Sequence, residues 1–242
     1  MANVKNLMVY LNPAKKFNQE CELLARVQID NAISLGLKDD LILVTNFSYD
    51  YQGVRATVVG DGHYCDVRPR SIKTSIIPHL IELGIIEKDK IYWNHDLDAF
   101  QNEIITEEEL GLDGLDAGFT DYGWRSRWCL GSDFIKASAK DIFEYLRDHI
   151  FLNIEDETVL LDMQKDNVLN VNSRIKKVNI TYQIGMRHIE HNHRKAHKPL
   201  KVLHFHPSKP GLLDKFMHGK NSIGIPFMSE RLINVFNSHG IK

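Results

Sequence analysis

Apolar residues along this chain gather in short runs closed by turn residues, with longer amphipathic stretches between them. Leu7-Met8-Val9-Tyr10-Leu11, stopped by Asn12-Pro13, reads as a buried first strand. From Phe17 to Leu35 the apolar positions Leu23, Leu24, Val27, Ile29, Ala32, Ile33 and Leu35 follow the helical repeat, and Gly36 is a natural stop. Leu41–Thr45 and Thr57–Val59 read as further strands, Ser75–Leu83 as a helix ended by Gly84, and Lys90-Ile91-Tyr92-Trp93 as a strand. This alternation predicts an α/β fold with a central, mostly parallel sheet flanked by helices. Beyond residue 100 the pattern loosens. Residues 103–128, rich in Gly and Asp, read as a long functional loop. Ala137–Leu152 returns to helix, with Ser138 and Asp141 spaced as a capping box. Val178–Tyr182 and Leu200–Phe205 read as late strands. No repeat or Pro/Ser linker divides the chain, so residues 1–242 are expected to form one domain, with halves 1–100 and 101–242.

Composition adds exclusions. With 242 residues, 43% hydrophobic and 26% charged, the chain is no fibrous repeat, disordered tail or disulfide-stapled miniprotein. Cys21, Cys65 and Cys129 form no Cys-x-x-Cys pair and suit a reducing compartment. No apolar run approaches the roughly 18 residues of a membrane span, and Met1-Ala2-Asn3-Val4-Lys5 is no signal core. A soluble cytoplasmic protein with no membrane and no obligate protein partner is expected. The net charge of −2 hides a segregation: residues 174–220 hold 11 Lys and Arg, two acids and seven of the 12 histidines. A basic segment on a near-neutral chain points to an anionic partner.

The candidate chemistry centres on Trp93-Asn94-His95-Asp96-Leu97-Asp98-Ala99-Phe100. An apolar strand delivers two carboxylates at i and i+2, on one face of extended chain and at the strand end where α/β sheets present ligands. Two such carboxylates repel unless a cation bridges them, and Mg²⁺ or Mn²⁺ suits that oxygen-rich set and also binds diphosphate. A solvated acidic turn is the alternative. In Leu200–Pro210, His204 and His206 alternate with apolar residues, so both could join a metal shell, while Lys209 offers charge to a phosphate. A hydrogen-bonded core histidine and a solvated lysine are the alternative there.

Taken together, these segments resemble the GT-A glycosyltransferases, especially the glycogenin-like branch. The resemblance runs from about residue 6 to 220 and rests on short motifs. It implies that Asp96, Asp98 and His204 hold the metal, that Lys209-Pro210 matches the family's Lys-Pro at the donor diphosphate, and that Lys73 lies near the donor. Lys165-Asp166-Asn167-Val168-Leu169-Asn170 resembles the family's Asp-Gln-Asp-x-Leu-Asn. Gly211 stands where the family has Trp, the His-to-Lys spacing differs, and Lys165-Asp166 replaces Asp-Gln, which leaves retention or inversion open.

The expected activity is metal-dependent transfer of a sugar from a nucleotide-sugar donor, a UDP-sugar foremost, to an acceptor hydroxyl. Asn12 and Lys73 would border the nucleotide with Asp96 and Lys209. An inverting reaction needs a carboxylate base. Asp113, Asp116, Asp121, Asp156, Glu157, Asp162 and Asp166 are candidates, Asp116, Asp121 and Asp166 being put forward. Phe119, Tyr122 and Trp124 would be acceptor platforms in a mobile loop, and Cys129–Ser132 would continue the sheet beside the metal. His188, His191, His193 and His197 lack zinc spacing. Arg187, Arg194, Lys195 and Lys198 form either a solvated loop or the footing for a polyanion. The acceptor would then be double-stranded DNA, as for the phage enzymes that glucosylate or arabinosylate hydroxymethylated cytosine, placing the protein in a host's cytoplasm. A nucleotidyltransferase and a non-catalytic nucleic-acid-binding protein are the rival readings.

Overall fold

The structure, a computed structural model, describes residues 2–121, 123, 128–185, 189–205 and 227–241. Its first strand shows why helices cover both faces of the sheet. In β1 (Lys5–Tyr10), Leu7 and Val9 enter one apolar cluster and Met8 enters another. The Met8 cluster takes Ala25, Ile29 and Ala32 from α1 (Gln19–Ser34), whose N-cap Asn18 accepts from the Cys21 N–H. The Leu7 cluster is closed by α2 (Ile72–Ser75), α3 (Ile77–Glu82), α5 (Lys140–Phe151) and α6 (Asp156–Lys165).

The central sheet has the order β10-β8-β9-β6-β1-β2-β5. It consists of β2 (Leu41–Thr45), β5 (Thr57–Val58), β6 (Tyr92–His95), β8 (Ala117–Asp121), β9 (Trp128–Ile135) and β10 (Ile175–Val178) with β1. Only β9 runs against its neighbours β6 and β8; the other pairings are parallel. A second sheet, β11-β12-β7, joins β7 (Ala99–Gln101), β11 (Ile184–Gly185) and β12 (Val202–His204). The ribbon β3 (Asp50–Tyr51) with β4 (Val54–Arg55), α4 (Glu107–Leu110), α7 (Ile189–Lys195) and α8 (Glu230–Ser238) complete the described strands and α-helices. The fold is the α/β arrangement expected, with a mostly parallel central sheet.

Several expectations change. The helix expected over Ser75–Leu83 is split at Ile76 into α2 and α3, because Pro78, in the first turn of α3, has no N–H to continue α2. Residues 103–128 are not one loop. They contain α4 and β8, and Phe119 is fully buried in the core, so it is no acceptor platform. The glycine that suggested a loop is a packing requirement: a Cβ on Gly118 would lie 2.9 Å from Val178 and 3.0 Å from Leu112. Tyr122 and Trp124 lie outside the described residues. The N-cap of α5 is Ala139 without a side-chain bond, and Asp141 pairs with Arg174 instead. The strand expected at Val178–Tyr182 ends at Val178; Asn179 then caps a 3₁₀ turn over Ile180–Tyr182.

Candidate metal centre

β6 ends at His95, two residues later than the apolar run suggested, so Asp96 is the first residue off the strand. Its backbone is fixed on three sides. The Asp96 N–H donates to Gly131 O at 3.0 Å, and its carbonyl accepts from Ala99 N at 3.0 Å and lies 2.8 Å from His95 Nδ1. His95 is buried, stacks on Trp93 with ring centroids 3.7 Å apart, and has Nε2 2.7 Å from Asn6 Oδ1. Burial holds its pKa down at about 3.

The turn 96–99 leads into β7, which pairs with β12 so that Ala99 opposes His204. Phe205 N donates to Asp98 O at 3.1 Å, clamping the end of β12 to the turn. Asp96, Asp98 and His204 thereby each offer an atom within 4.8 Å of the others. His204 Nε2 lies 3.0 Å from Asp98 Oδ1 and 3.5 Å from Asp96 Oδ2. Gly131 of β9 faces them. A Cβ there would stand 2.7 Å from His204 Cε1 and 2.8 Å from Asp96 Oδ2. Two carboxylates and one imidazole form a donor set suited to a hard or borderline divalent ion.

The surroundings are charged and buried. The Lys73 ammonium donates to Leu130 O and lies 3.5 Å from Asp96 Oδ1. Burial opposes its charge, but Asp96, Asp133 and Asp156 outweigh that and raise its pKa. Burial above all raises the Asp96 pKa, with Asp98 adding to it against the pull of Lys73 and His204. Burial disfavours the His204 imidazolium, yet the charge and hydrogen bond of Asp98, then Asp96, carry its pKa above the ordinary value. Asp133 is fully buried on β9, paired to Asn94 Nδ2 at 3.1 and 3.3 Å, and desolvation lifts its pKa to about 8. At the start of α6, Asp156 is 3.4 Å from the Thr74 hydroxyl; Glu157, largely desolvated and beside Asp156 and Glu155, is raised to about 7.

The expected site residues separate into groups. Asp96, Asp98, His204 and Lys73 converge. Asp116 does not: it precedes β8 at the end of the strands opposite Asp96 and is bound by Arg174 at 2.6 Å. Asp121 closes the other end of β8, where its Oδ1 accepts from Gly123 N at 2.7 Å. Asp166 is exposed past the end of α6, and the left-handed residues Asn167, Leu169 and Asn170 follow it. α6 is 10 residues long, about 15 Å at the helical rise, and it is the opposite end, at Asp156 and Glu157, that faces Lys73 and Thr74. Asn12 spends its amide on the turn after β1, donating to Tyr10 Oη and Lys16 O and accepting from Ala14 N. His206, Lys209 and Arg187 lie outside the described residues. Arg194 and Lys195 of α7, and Lys198, are exposed; Asn192 of α7 donates to Gly185 O at 3.1 Å, and Gly185 pairs with His204. The stretch Cys129–Ser132, expected to continue the sheet beside the metal, does so in β9 and brings Gly131 to the site, whereas sequence reasoning missed Asp133 and Gln183, whose types and spacing carry no motif.

Comparisons with solved structures agree with this architecture. The chain is similar to the glycosyltransferase GlyE of Streptococcus pneumoniae (TM-score 0.56, 14% identity, 99% of this chain and 65% of that one). It is similar to the galactosyltransferase LgtC solved with donor and acceptor sugar analogues (TM-score 0.51, 12% identity, 96% and 95%). It is also similar to a glycosyltransferase involved in glycosylation of the major capsid of PBCV-1 (TM-score 0.50, 12% identity, 84% and 94%). No family model and no curated protein matches by sequence. The fold is that of GT-A glycosyltransferases.

Proposed function

We propose that this protein is a metal-dependent glycosyltransferase that moves a sugar from a nucleotide-sugar donor to an acceptor hydroxyl. The observation that carries the reading is the convergence of Asp96 and Asp98, from the turn between β6 and β7, with His204 of β12, beside the buried Lys73. These residues fit Mn²⁺ or Mg²⁺, which when bound would neutralise the leaving diphosphate. Lys73 would hold a second positive charge there without needing solvent to stabilise it. Tyr10, stacked on Phe17 at 4.6 Å beside Phe47, offers an apolar wall for a nucleoside at the ends of β1 and β2. Glu157, with its pKa near neutrality, is better placed than Asp116 or Asp166 to take the acceptor proton if the reaction inverts.

The acceptor is proposed to be polyanionic, duplex DNA carrying hydroxymethylated cytosine being the case considered from the sequence. Its support is the exposed Arg194, Lys195 and Lys198 beside the strand that pairs with His204. The test is product analysis with candidate UDP-sugars and Mn²⁺. Release of nucleoside diphosphate with a sugar-bearing product is expected, and D96N/D98N should lower the rate at least about 100-fold. Pyrophosphate release would favour the nucleotidyltransferase reading, and unchanged turnover in D96N/D98N would eliminate the site.

A further inference from the structure

β9 leaves its ladder with β8 for three residues. The register jumps from Phe119 opposite Asp133 to Thr120 opposite Cys129, so Leu130, Gly131 and Ser132 form a bulge. The carbonyls of the bulge are all put to use. Leu130 O accepts from the Lys73 ammonium, Gly131 O from Asp96 N at 3.0 Å, and Ser132 O from the Thr120 hydroxyl at 2.7 Å. The Ser132 side chain adds a further link. Its hydroxyl accepts from Trp93 Nε1 at 2.7 Å and donates to Tyr182 O at 2.7 Å. Both directions are fixed by the groups involved, since an indole nitrogen only donates and a carbonyl only accepts. Ser132 and Trp93 are 0% and 1% exposed, so solvent does not compete for these bonds.

Tyr182 O lies where the two sheets meet. His204 is in β12, the middle strand of the second sheet, between β7, where Ala99 opposes it, and β11, where Gly185 does. On the β7 flank, the turn 96–99 joins that sheet to β6 and carries both aspartates. On the β11 flank, the chain arrives through the 3₁₀ turn Ile180–Tyr182, whose Thr181 O also accepts from Lys201 N at 3.0 Å, just before β12. Ser132 pins this turn to β9, one residue from the Gly131 that holds Asp96. The bulge therefore holds the aspartate side of the site with one residue and the histidine side with the next.

We propose that Ser132 is a positioning residue: its hydroxyl fixes the β11 flank of the second sheet against β9 and so sets where the His204 imidazole stands relative to Asp96 and Asp98. The inference rests on reading those three residues as a cation site. Loss of a group that orients a metal ligand typically costs about 10–100-fold in affinity. Ser132 acts through the backbone rather than on the ring itself, which places the expected loss at the lower end, about 10-fold.

The test titrates Mn²⁺ alone into the full chain, following the EPR signal of the free ion, and then reads the bound ion at saturation for nitrogen modulation from an imidazole ligand. Wild type should bind and show that modulation. S132A should bind about 10-fold more weakly, with the imidazole modulation of its bound ion diminished. T45V, which removes an equally buried hydroxyl bond to Phe47 O at the end of β2, should match wild type in both. An S132A affinity equal to that of wild type, an undiminished imidazole signal in S132A, or an equal loss in T45V would overturn the proposal while leaving the cation site standing. Absence of Mn²⁺ binding by wild type would overturn the cation site and the proposal with it. Should S132A not fold, S132C, whose thiol bonds more weakly in the same place, is read by the same two signals: a loss of a few-fold with a weaker imidazole signal is expected, and unchanged values overturn the proposal.

Discussion

Gly131 and Asp133 flank the reaction end of β9 with opposite demands. At Gly131 there is no room for a side chain, since a Cβ would press on both His204 and Asp96. Gly131→Ala should therefore weaken Mn²⁺ binding by an order of magnitude or more, measured by titration, whereas Gly60→Ala, with nothing within 4 Å, should leave it unchanged. At Asp133 the difficulty is charge. Its folded pKa of about 8 lies above the ordinary aspartate value, so the proton prefers the folded chain. The stability this supplies is fully present below about pH 4 and is lost as pH rises through about 8. Glu157, raised to about 7, adds to the same trend. In EDTA the urea midpoint should fall between pH 5.5 and 8.5, and Asp133→Asn should flatten that fall. The carboxylates of the proposed cation site were legible because Asp-x-Asp follows an apolar strand; Asp133 was not, since one Asp in Ser-Asp-Phe-Ile carries no sign that Asn94 and Lys73 surround it.

Elements whose signal is local were read well, and β2 spans the residues its apolar run marks. The loop expected over residues 103–128 failed for a long-range reason. β8 holds Ala117-Gly118-Phe119-Thr120 in place through β9 and β10, neighbours distant in sequence that composition cannot reveal. The C-terminal helix is another long-range case. α8 packs Leu232, Val235 and Phe236 inward, and Arg231 reaches the carbonyls of Gln101 and Asn102 and the side chains of Asn31 and Ser34. Arg231 thus ties α8 to α1 and to the end of β7, the strand that follows the turn 96–99. Arg231→Met should lower stability by about 2–4 kcal/mol, because buried carbonyls lose a charged donor; chemical denaturation measures it. Mn²⁺ affinity should fall with it only if β7 shifts.

Over the whole molecule, the charge segregation seen in the sequence is partly spent inside the fold. Arg174 is committed to Asp116 and Asp141, and Lys201 to Glu109. The basic surface is therefore smaller than a count of residues 174–220 implies, with Arg194, Lys195 and Lys198 as its described exposed members. Duplex DNA binding, measured by fluorescence anisotropy, should weaken as salt rises. Replacing those three by Gln should reduce the slope of log K against log salt by up to about 3. A slope unaffected by the substitutions would move the acceptor question away from nucleic acid.

His204 donates to a carboxylate 106 positions earlier in the chain. A ribosome therefore completes both aspartates long before the imidazole exists, and β12 must find β7 across that interval before the three can meet. Until then the growing chain carries an acidic turn with no third ligand. The activity proposed for this fold would begin only after β12 has been made and docked, however early the first strands assemble.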